Sequence, residues 1–126
     1  MTKRRAKHIA LMQWAIVKED FNNDVSNGRE KSIVTYKEVA LNKLYTRDKI
    51  TLQEHDLIME YSSCALCTYY QYNKDVNCPL NSGAYICSCD CSIYFFLLEA
   101  NTNHDIVDEL NLINQIINLI KSWRVK

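Results

Sequence analysis

The stretch that decides the fold is "NHDIVDELNLINQIINLIKSWR", Asn103 to Arg124. One apolar row repeats in alternating steps of four and three residues, the seam pattern of packed helices: Ile106, Leu110, Ile113, Ile117 and Ile120. A second row lies beside it: Leu112, Ile116, Leu119 and Trp123. A helix with this much apolar surface must be covered on two sides. We predict a helix over about 103–124 that sits centrally among other helices; the alternative is that one row joins two copies of the chain or meets a partner.

Upstream patterns predict four more helices, over about 3–21, 30–45, 52–63 and 92–100. In the first, Ala10, Trp14, Val17 and Phe21 share one face. Thr51 and Glu54 form a T-x-x-E capping box, so the third is expected to begin at Leu52.

The segments between these helices carry turn signals and one ambiguity. "NNDVSNG", Asn22 to Gly28, is typical of a loop. The β-branched run "SIVTY", Ser32 to Tyr36, leaves a short strand open as an alternative to the start of the second helix. Thr102 together with Asp105 is expected to cap the last helix.

Composition bounds the fold class. The chain has 126 residues, which is the size of one domain. Of these, 48% are hydrophobic, which is enough to form a core. Only 2 glycines and 1 proline are present, which favours helices over sheets with their frequent turns. We predict a mainly α, compact single domain over residues 1–126, built around the long C-terminal helix, with an irregular cysteine-rich segment at 64–91.

Charge and hydropathy restrict the partners. The formal net charge is zero, which disfavours a protein held to nucleic acid by bulk charge. The longest apolar run, Ile93 to Leu98, is far too short to cross a bilayer, and the basic amino terminus lacks the features of a secretory signal. We expect a soluble intracellular protein with no membrane partner.

All six cysteines lie in "CALCTYYQYNKDVNCPLNSGAYICSCDC", Cys64 to Cys91. The C-x2-C of Cys64 and Cys67 suits half of a tetrahedral zinc site. The candidate ligands of one structural zinc are Cys64, Cys67, Cys78 and Cys87, with Cys89 and Cys91 as alternates. The competing interpretation, of equal weight, is that the thiols pack as small apolar side chains. Disulfides rank third, because a reducing compartment disfavours them.

This segment resembles small, uncharacterised cysteine-rich proteins encoded by bacteriophages and prophages. The resemblance covers residues 64–94 and is carried by Cys64, Leu66, Cys67, Tyr69 or Tyr70, Cys78, Pro79, Leu80, Gly83, Cys87 and Tyr94. The chain departs from that pattern at Asp75, where the usual form has a further cysteine, and it adds Cys89 and Cys91. The resemblance implies a phage accessory protein acting in the cytoplasm of a bacterial host, without implying an activity.

No catalytic motif is visible. His8, His55 and His104 lie in polar surroundings, and His55 is not expected to pair with Glu54 or Asp56, since adjacent helical residues point to different sides. Phosphate loops and hydrolase signatures are missing from the sequence. We therefore expect a protein that is not an enzyme.

Three functions remain as hypotheses. The first is a phage-type protein that binds and inhibits a host protein, for example a defence component such as a CRISPR effector, through Tyr69, Tyr70 and Tyr72, because tyrosine is favoured at protein interfaces. The second is a zinc-stapled nucleic-acid-binding regulator whose phosphate contacts would be Lys3, Arg4, Arg5 and Lys7. The third is an oligomeric sponge that sequesters a nucleotide signal against stacked tyrosines.

Overall fold

A computed structural model of the chain describes residues 1–60, 64–66, 68–69 and 93–124. In this part of the chain the secondary structure is helical, without strands. The five main helices are α1 (Lys3–Ser26), α2 (Ile33–Thr46), α3 (Leu52–Glu60), α4 (Ile93–Thr102) and α5 (Ile106–Ser122). The predicted mainly α fold with a long C-terminal helix is confirmed.

The longest helix, α1, packs against α2 and against α5. On its other side α5 pairs with α4, while α3 rests on α2. Thus α5 is covered on two sides, as its double apolar row requires. Both rows supply core residues, since Ile113, Ile116 and Ile120 are fully buried and Leu112 and Trp123 nearly so. The central-helix interpretation of the C-terminal stretch is therefore supported, with α1 sharing the central position.

The core is one continuous cluster to which all five helices contribute. Its largest fully buried side chains are Trp14, Tyr36, Phe21, Ile9, Ile33, Leu41, Ile58, Leu66, Leu97, Ile113, Ile116 and Ile120. Aromatic pairs cross between helices edge to face, Trp14 with Tyr94 at 6.2 Å and Phe21 with Tyr36 at 6.1 Å between ring centroids. This arrangement favours the attraction between a ring's positive edge and a neighbouring ring's negative face.

The predicted loop at 22–28 is wrong, because α1 continues to Ser26. Val25 lies four residues after Phe21 and packs against the core, which extends the apolar face one turn further. The end is a Schellman motif: Gly28 adopts φ +66°, and the Arg29 N–H donates to the Asp24 carbonyl at 2.8 Å. Packing of Val25 therefore outweighs the weak helix propensity of the Asn- and Ser-rich sequence.

The strand alternative for residues 32–36 is also wrong. Ser32 caps α2 by accepting a hydrogen bond from the Thr35 N–H at 3.2 Å, and helix begins at Ile33. The capping box of α3 is confirmed in both directions, with the Glu54 N–H donating to Thr51 Oγ1 and the Thr51 N–H to Glu54 Oε1. Residues 61–63 of the predicted third helix lie outside the described residues.

The predicted cap of the last helix is corrected. Thr102 ends α4, and its hydroxyl donates to the Leu98 carbonyl. Asp105 is the N-cap of α5, accepting from the Asp108 N–H at 3.2 Å. Between them His104 adopts φ 54°, and the Asp105 N–H donates to the Ala100 carbonyl. This left-handed residue closes α4 and prevents one helix from running from 103 onward.

Most of the predicted irregular segment, 70–91, lies outside the described residues. The part that is described departs from the prediction, because Ala65, Leu66, Thr68 and Tyr69 are helical. Ala65 and Leu66 are fully buried in the core. Cys64, Ala65 and Leu66 are therefore all part of the core.

Candidate functional site

Cys64 is the only predicted zinc ligand among the described residues. It is 5% exposed and belongs to the core cluster, and its carbonyl accepts hydrogen bonds from the Thr68 N–H and hydroxyl. Cys67, Cys78, Cys87, Cys89 and Cys91 lie outside the described residues. Within the described ranges, no group of three or more metal-ligating side chains converges. The zinc hypothesis stays a prediction, as does the alternative of packed thiols.

Of the three tyrosines predicted to meet a partner, the structure describes Tyr69. Its ring is half-buried and stands edge-on to Trp123, with centroids 6.1 Å apart. Trp123, at the end of α5, is 7% exposed and also has the Lys3 ammonium 4.9 Å from its ring centroid. Tyr69 therefore packs at the rim of the core with only part of its ring available. Tyr70 and Tyr72 lie outside the described residues.

The basic run at the amino terminus is mostly engaged inside the molecule. Arg5 forms a bidentate pair with Glu54, at 2.7 and 2.9 Å, and reaches the Lys49 carbonyl. The Lys7 ammonium donates to the carbonyls of Lys121 and Trp123 at 2.9 and 2.7 Å, where the end of α5 carries its partial negative charge. Lys3 lies over Trp123. The structure does not assemble a row of cations open to phosphate: within the described part, Arg4 is the exposed member of the run.

The Arg5–Glu54 pair makes a testable contribution to stability. Hydrogen bonding to Arg5 lowers the pKa of Glu54 to about 2, from 4.5. Since Arg5 is one-third exposed, solvent screens the pair, and we expect Arg5→Met to lower the free energy of unfolding by about 1 kcal/mol. Because the folded pKa of Glu54 is depressed, this stabilisation is present above pH 4.5 and is lost as the pH falls toward 2.

Urea denaturation at pH 7 and at pH 3 measures this effect. The matched control is Arg4→Met, the same substitution at the exposed neighbouring position, which we expect to change the free energy of unfolding by less than about 0.5 kcal/mol. Equal effects of the two substitutions at pH 7 would show that the ion pair does not stabilise the fold.

An exposed aromatic pair on α4 was not identified from the sequence. Phe95 and Phe96 are 45% and 56% exposed, and their rings stand edge to face at 6.0 Å. The buried positions of α4 are Tyr94, Leu97 and Ala100. A ten-residue helix with one buried face cannot also bury Phe95 and Phe96, which lie between the buried positions. The continuous apolar run Ile93 to Leu98 was therefore a signal of exposed aromatic rings that the sequence analysis missed.

A lysine is buried beside Tyr94, a position that belongs to the phage-protein resemblance. Lys37 is 2% exposed, its ammonium donates to the Tyr94 hydroxyl at 3.0 Å, and it lies 4.3 Å from the centroid of the same ring. Its own carbonyl accepts from the Gln13 side-chain amide at 3.2 Å. Hydrogen bonding and cation–π attraction offset part of the cost of burying the charge. Tyr94 therefore has a structural role, joining α4 to α2 and, through Trp14, to α1.

His55 differs from its prediction. Its Nδ1 lies 3.0 Å from Asp56 Oδ1, although adjacent helical residues were expected to diverge, and its Nε2 lies 2.7 Å from Asn42 Oδ1. The ring also packs against Tyr45, with centroids 5.7 Å apart. Both ring nitrogens are engaged, so the contacts join α3 to α2.

A cleft of about 340 Å³ lies between the second half of α1 and α2. Its walls are charged and internally paired: Lys43 contacts both oxygens of Asp20 at 2.8 Å, and Lys31 lies 3.6 Å from Asp24. The buried Tyr36 hydroxyl donates to Asp24 and accepts from the Lys31 N–H. Burial raises the pKa of Tyr36 well above its usual value. These mutual contacts give the cleft a structural explanation.

A carboxyl pair at the α4–α5 turn was also not identified from the sequence. Glu109 on α5 is fully buried, and Glu30 of the loop before α2 is near it, with the Asn101 side-chain amide donating to both. Burial, reinforced by Glu30, raises the pKa of Glu109 to about 8. A signal was present, since Glu109 stands between Ile106 and Ile113 on the apolar face of α5.

None of the helices in the described ranges combines the length and the apolar character that a bilayer crossing needs. Comparison of the chain with protein-family models, with curated proteins and with solved structures found no match.

Proposed function

We propose that this chain is a phage-type accessory protein that binds and inhibits a host protein without catalysing a reaction. The target class we infer is a component of bacterial defence, such as a CRISPR effector, reached in the cytoplasm of the host cell. The proposal extends the resemblance of residues 64–94 to small phage proteins.

The observation that carries the protein-binding part is the exposed Phe95–Phe96 pair on α4. It follows directly after the segment of resemblance, which ends at Tyr94. Exposing two adjacent phenylalanine rings to water costs free energy that burial against a partner would recover. Aromatic side chains are enriched in the buried centres of protein interfaces and supply many of their strongest contacts. The pair is therefore the best-supported contact point.

Contacts inside the molecule weaken the other two hypotheses. A nucleic-acid regulator would need the amino-terminal cations, yet Arg5 and Lys7 hold α3 and α5, and the net charge is zero. A nucleotide sponge would need cations that are available to phosphate, whereas the two lysines of the α1–α2 cleft are paired with Asp20 and Asp24. Tyr70 and Tyr72 remain predicted partner contacts in addition to the phenylalanine pair.

The test is capture of a target by immobilised protein from a lysate of a bacterial host carrying an active CRISPR system. We expect one effector component to be retained, and the double variant Phe95→Ser/Phe96→Ser to reduce its capture at least tenfold, about 1.4 kcal/mol. The matched control is Val107→Ser, which removes an apolar side chain that is 73% exposed on α5. It should leave capture unchanged.

A second readout separates binding from inhibition. Expression of the chain should raise the plating efficiency of a phage that the CRISPR system targets, and the double variant should abolish that gain. The proposal is refuted if wild-type protein captures no defence component and gives no protection. Equal capture by the double variant would refute the role of Phe95 and Phe96 instead.

A further inference from the structure

Asn101 forms the junction of three elements. Its side-chain nitrogen donates to Glu109 Oε1 at 2.7 Å and lies 3.1 Å from both Glu30 Oε1 and the Lys31 carbonyl. Its side-chain oxygen accepts from the Ile33 N–H at 3.1 Å, in the first turn of α2. One amide near the end of α4 thus ties the start of α2 to the start of α5.

The two carboxyl groups are unequally satisfied. Glu109 is fully buried, and its Oε2 has no hydrogen-bond partner within the described part of the chain. If Glu109 were ionised here, most of the free-energy cost of removing its charge from water would not be offset, since a buried charge needs several donors or a cation. Glu30 is better supplied, because its Oε2 also lies 3.3 Å from His104 Nδ1. One of the two groups is therefore suited to being neutral, and geometry selects Glu109.

The surrounding charges do not compensate Glu109. Asp105, the N-cap of the same helix, and Glu30 across the junction both act to keep Glu109 protonated. Lys31 is directed toward Asp24 by its side chain and contributes its carbonyl here. His104 faces Glu30, and Glu30 in turn acts on the Tyr36 hydroxyl of α2.

We propose that Glu30 and Glu109 hold one proton between them beside the Asn101 amide, and that loss of this proton loosens the α4–α5 turn from the start of α2. With the proton bound, the pair carries a single negative charge, and the Glu109 carboxyl becomes a hydrogen-bond donor to the Glu30 carboxylate. When the proton leaves to solvent, two carboxylates face one amide that has only two hydrogens to donate. Their repulsion then acts across the junction.

The elevated pKa of Glu109, about 8, places this transition on the alkaline side of neutrality. The junction is therefore closed at neutral and mildly acidic pH, and a shift of one or two pH units opens it. The Ile33 N–H reports on the state of the junction, because its acceptor is the Asn101 side chain.

Two NMR measurements on the full chain from pH 5 to pH 10 test this. The carboxyl carbon of Glu109 should titrate with a midpoint near 8. The protection of the Ile33 amide against hydrogen exchange, corrected for the intrinsic effect of pH, should fall about tenfold or more through the same range. In Glu109→Gln this protection should be independent of pH.

The controls separate this switch from general loosening. Glu99→Gln makes the same change at an exposed position on α4. It should leave the Glu109 titration and the pH dependence of Ile33 protection as in the wild type. Glu30→Gln removes the second carboxylate and should lower the Glu109 midpoint while keeping it above 4.5, because burial remains. If Glu109 titrates below 5 in the wild type, or if the protection of Ile33 does not follow the titration of Glu109 in the wild type and in Glu99→Gln, the proposal is overturned.

Discussion

Replacing Trp14 by alanine is expected to lower the free energy of unfolding by about 3–5 kcal/mol, the range measured for removing buried aromatic side chains. Trp14 is 1% exposed, and it lies on the middle turn of α1, where it meets the edge of Tyr94 on α4. Its removal leaves a cavity between two helices, α1 and α4, that are separated by more than 60 residues of sequence and joined through the core. For a domain whose total stability is about 5–15 kcal/mol, this loss is a large share.

Urea denaturation followed by far-UV circular dichroism measures this change without depending on tryptophan fluorescence. Trp14→Phe, which retains a ring, provides a second point with a loss of about 1–2 kcal/mol if the alanine variant does not fold. Phe96→Ala is the matched control, since it removes an aromatic ring that is 56% exposed. A loss below about 1 kcal/mol for Trp14→Ala would contradict the core described for α1 and α4.

Features governed by residues near one another in sequence were predictable. The Thr51–Glu54 capping box is a contact over three residues, and it forms as predicted in both directions. The apolar rows of α5 are also local, since periodicity alone determines which residues share a face. Neither the cap of α3 nor the apolar face of α5 depends on knowing what the helix packs against.

Features that depend on distant partners were missed or misjudged. The end of α1 was predicted five residues early, because the packing of Val25 against the core is invisible to local propensity. The turn after α4 rests on His104 in a left-handed conformation, which glycine or asparagine would have signalled but histidine does not. Glu109 was visible as a charge on an apolar face, but its partners Glu30 and Asn101 come from other elements. The fold class was therefore accessible from sequence, while the polar junctions required three dimensions.

The second large effect we expect is a fall in stability with rising pH that depends on Glu109. Its pKa is about 8 in the folded protein against 4.5 ordinarily, so the folded state retains a proton that the unfolded state has released. Stability therefore declines as the pH rises from 4.5 to 8. The difference of 3.5 pKa units corresponds to about 5 kcal/mol as an upper bound, and we expect a measured loss on the order of 3 kcal/mol.

Glu109→Gln should remove this dependence. The amide keeps an oxygen for the Asn101 N–H and offers Glu30 a donor that does not ionise, so both contacts of the protonated acid are retained. At pH 8 we expect the variant to be more stable than the wild type by about 2–3 kcal/mol, and near pH 4.5 to be about equal. Urea denaturation at pH 5, 6.5 and 8 measures the two curves, with Glu99→Gln as the exposed control.

The two shifted carboxyls act in opposite directions, which makes the full pH profile informative. Glu54 stabilises the fold above pH 4.5 and loses its effect toward 2, whereas Glu109 is least costly below 4.5 and most costly above 8. Their sum predicts maximum stability near pH 4.5, with a decline below it that requires Arg5 and a decline from 4.5 to 8 that requires Glu109. Arg5→Met should therefore flatten only the decline below pH 4.5, and Glu109→Gln only the decline above it. Parallel profiles for wild type and Glu109→Gln between pH 5 and 8 would contradict the buried, protonated state of Glu109.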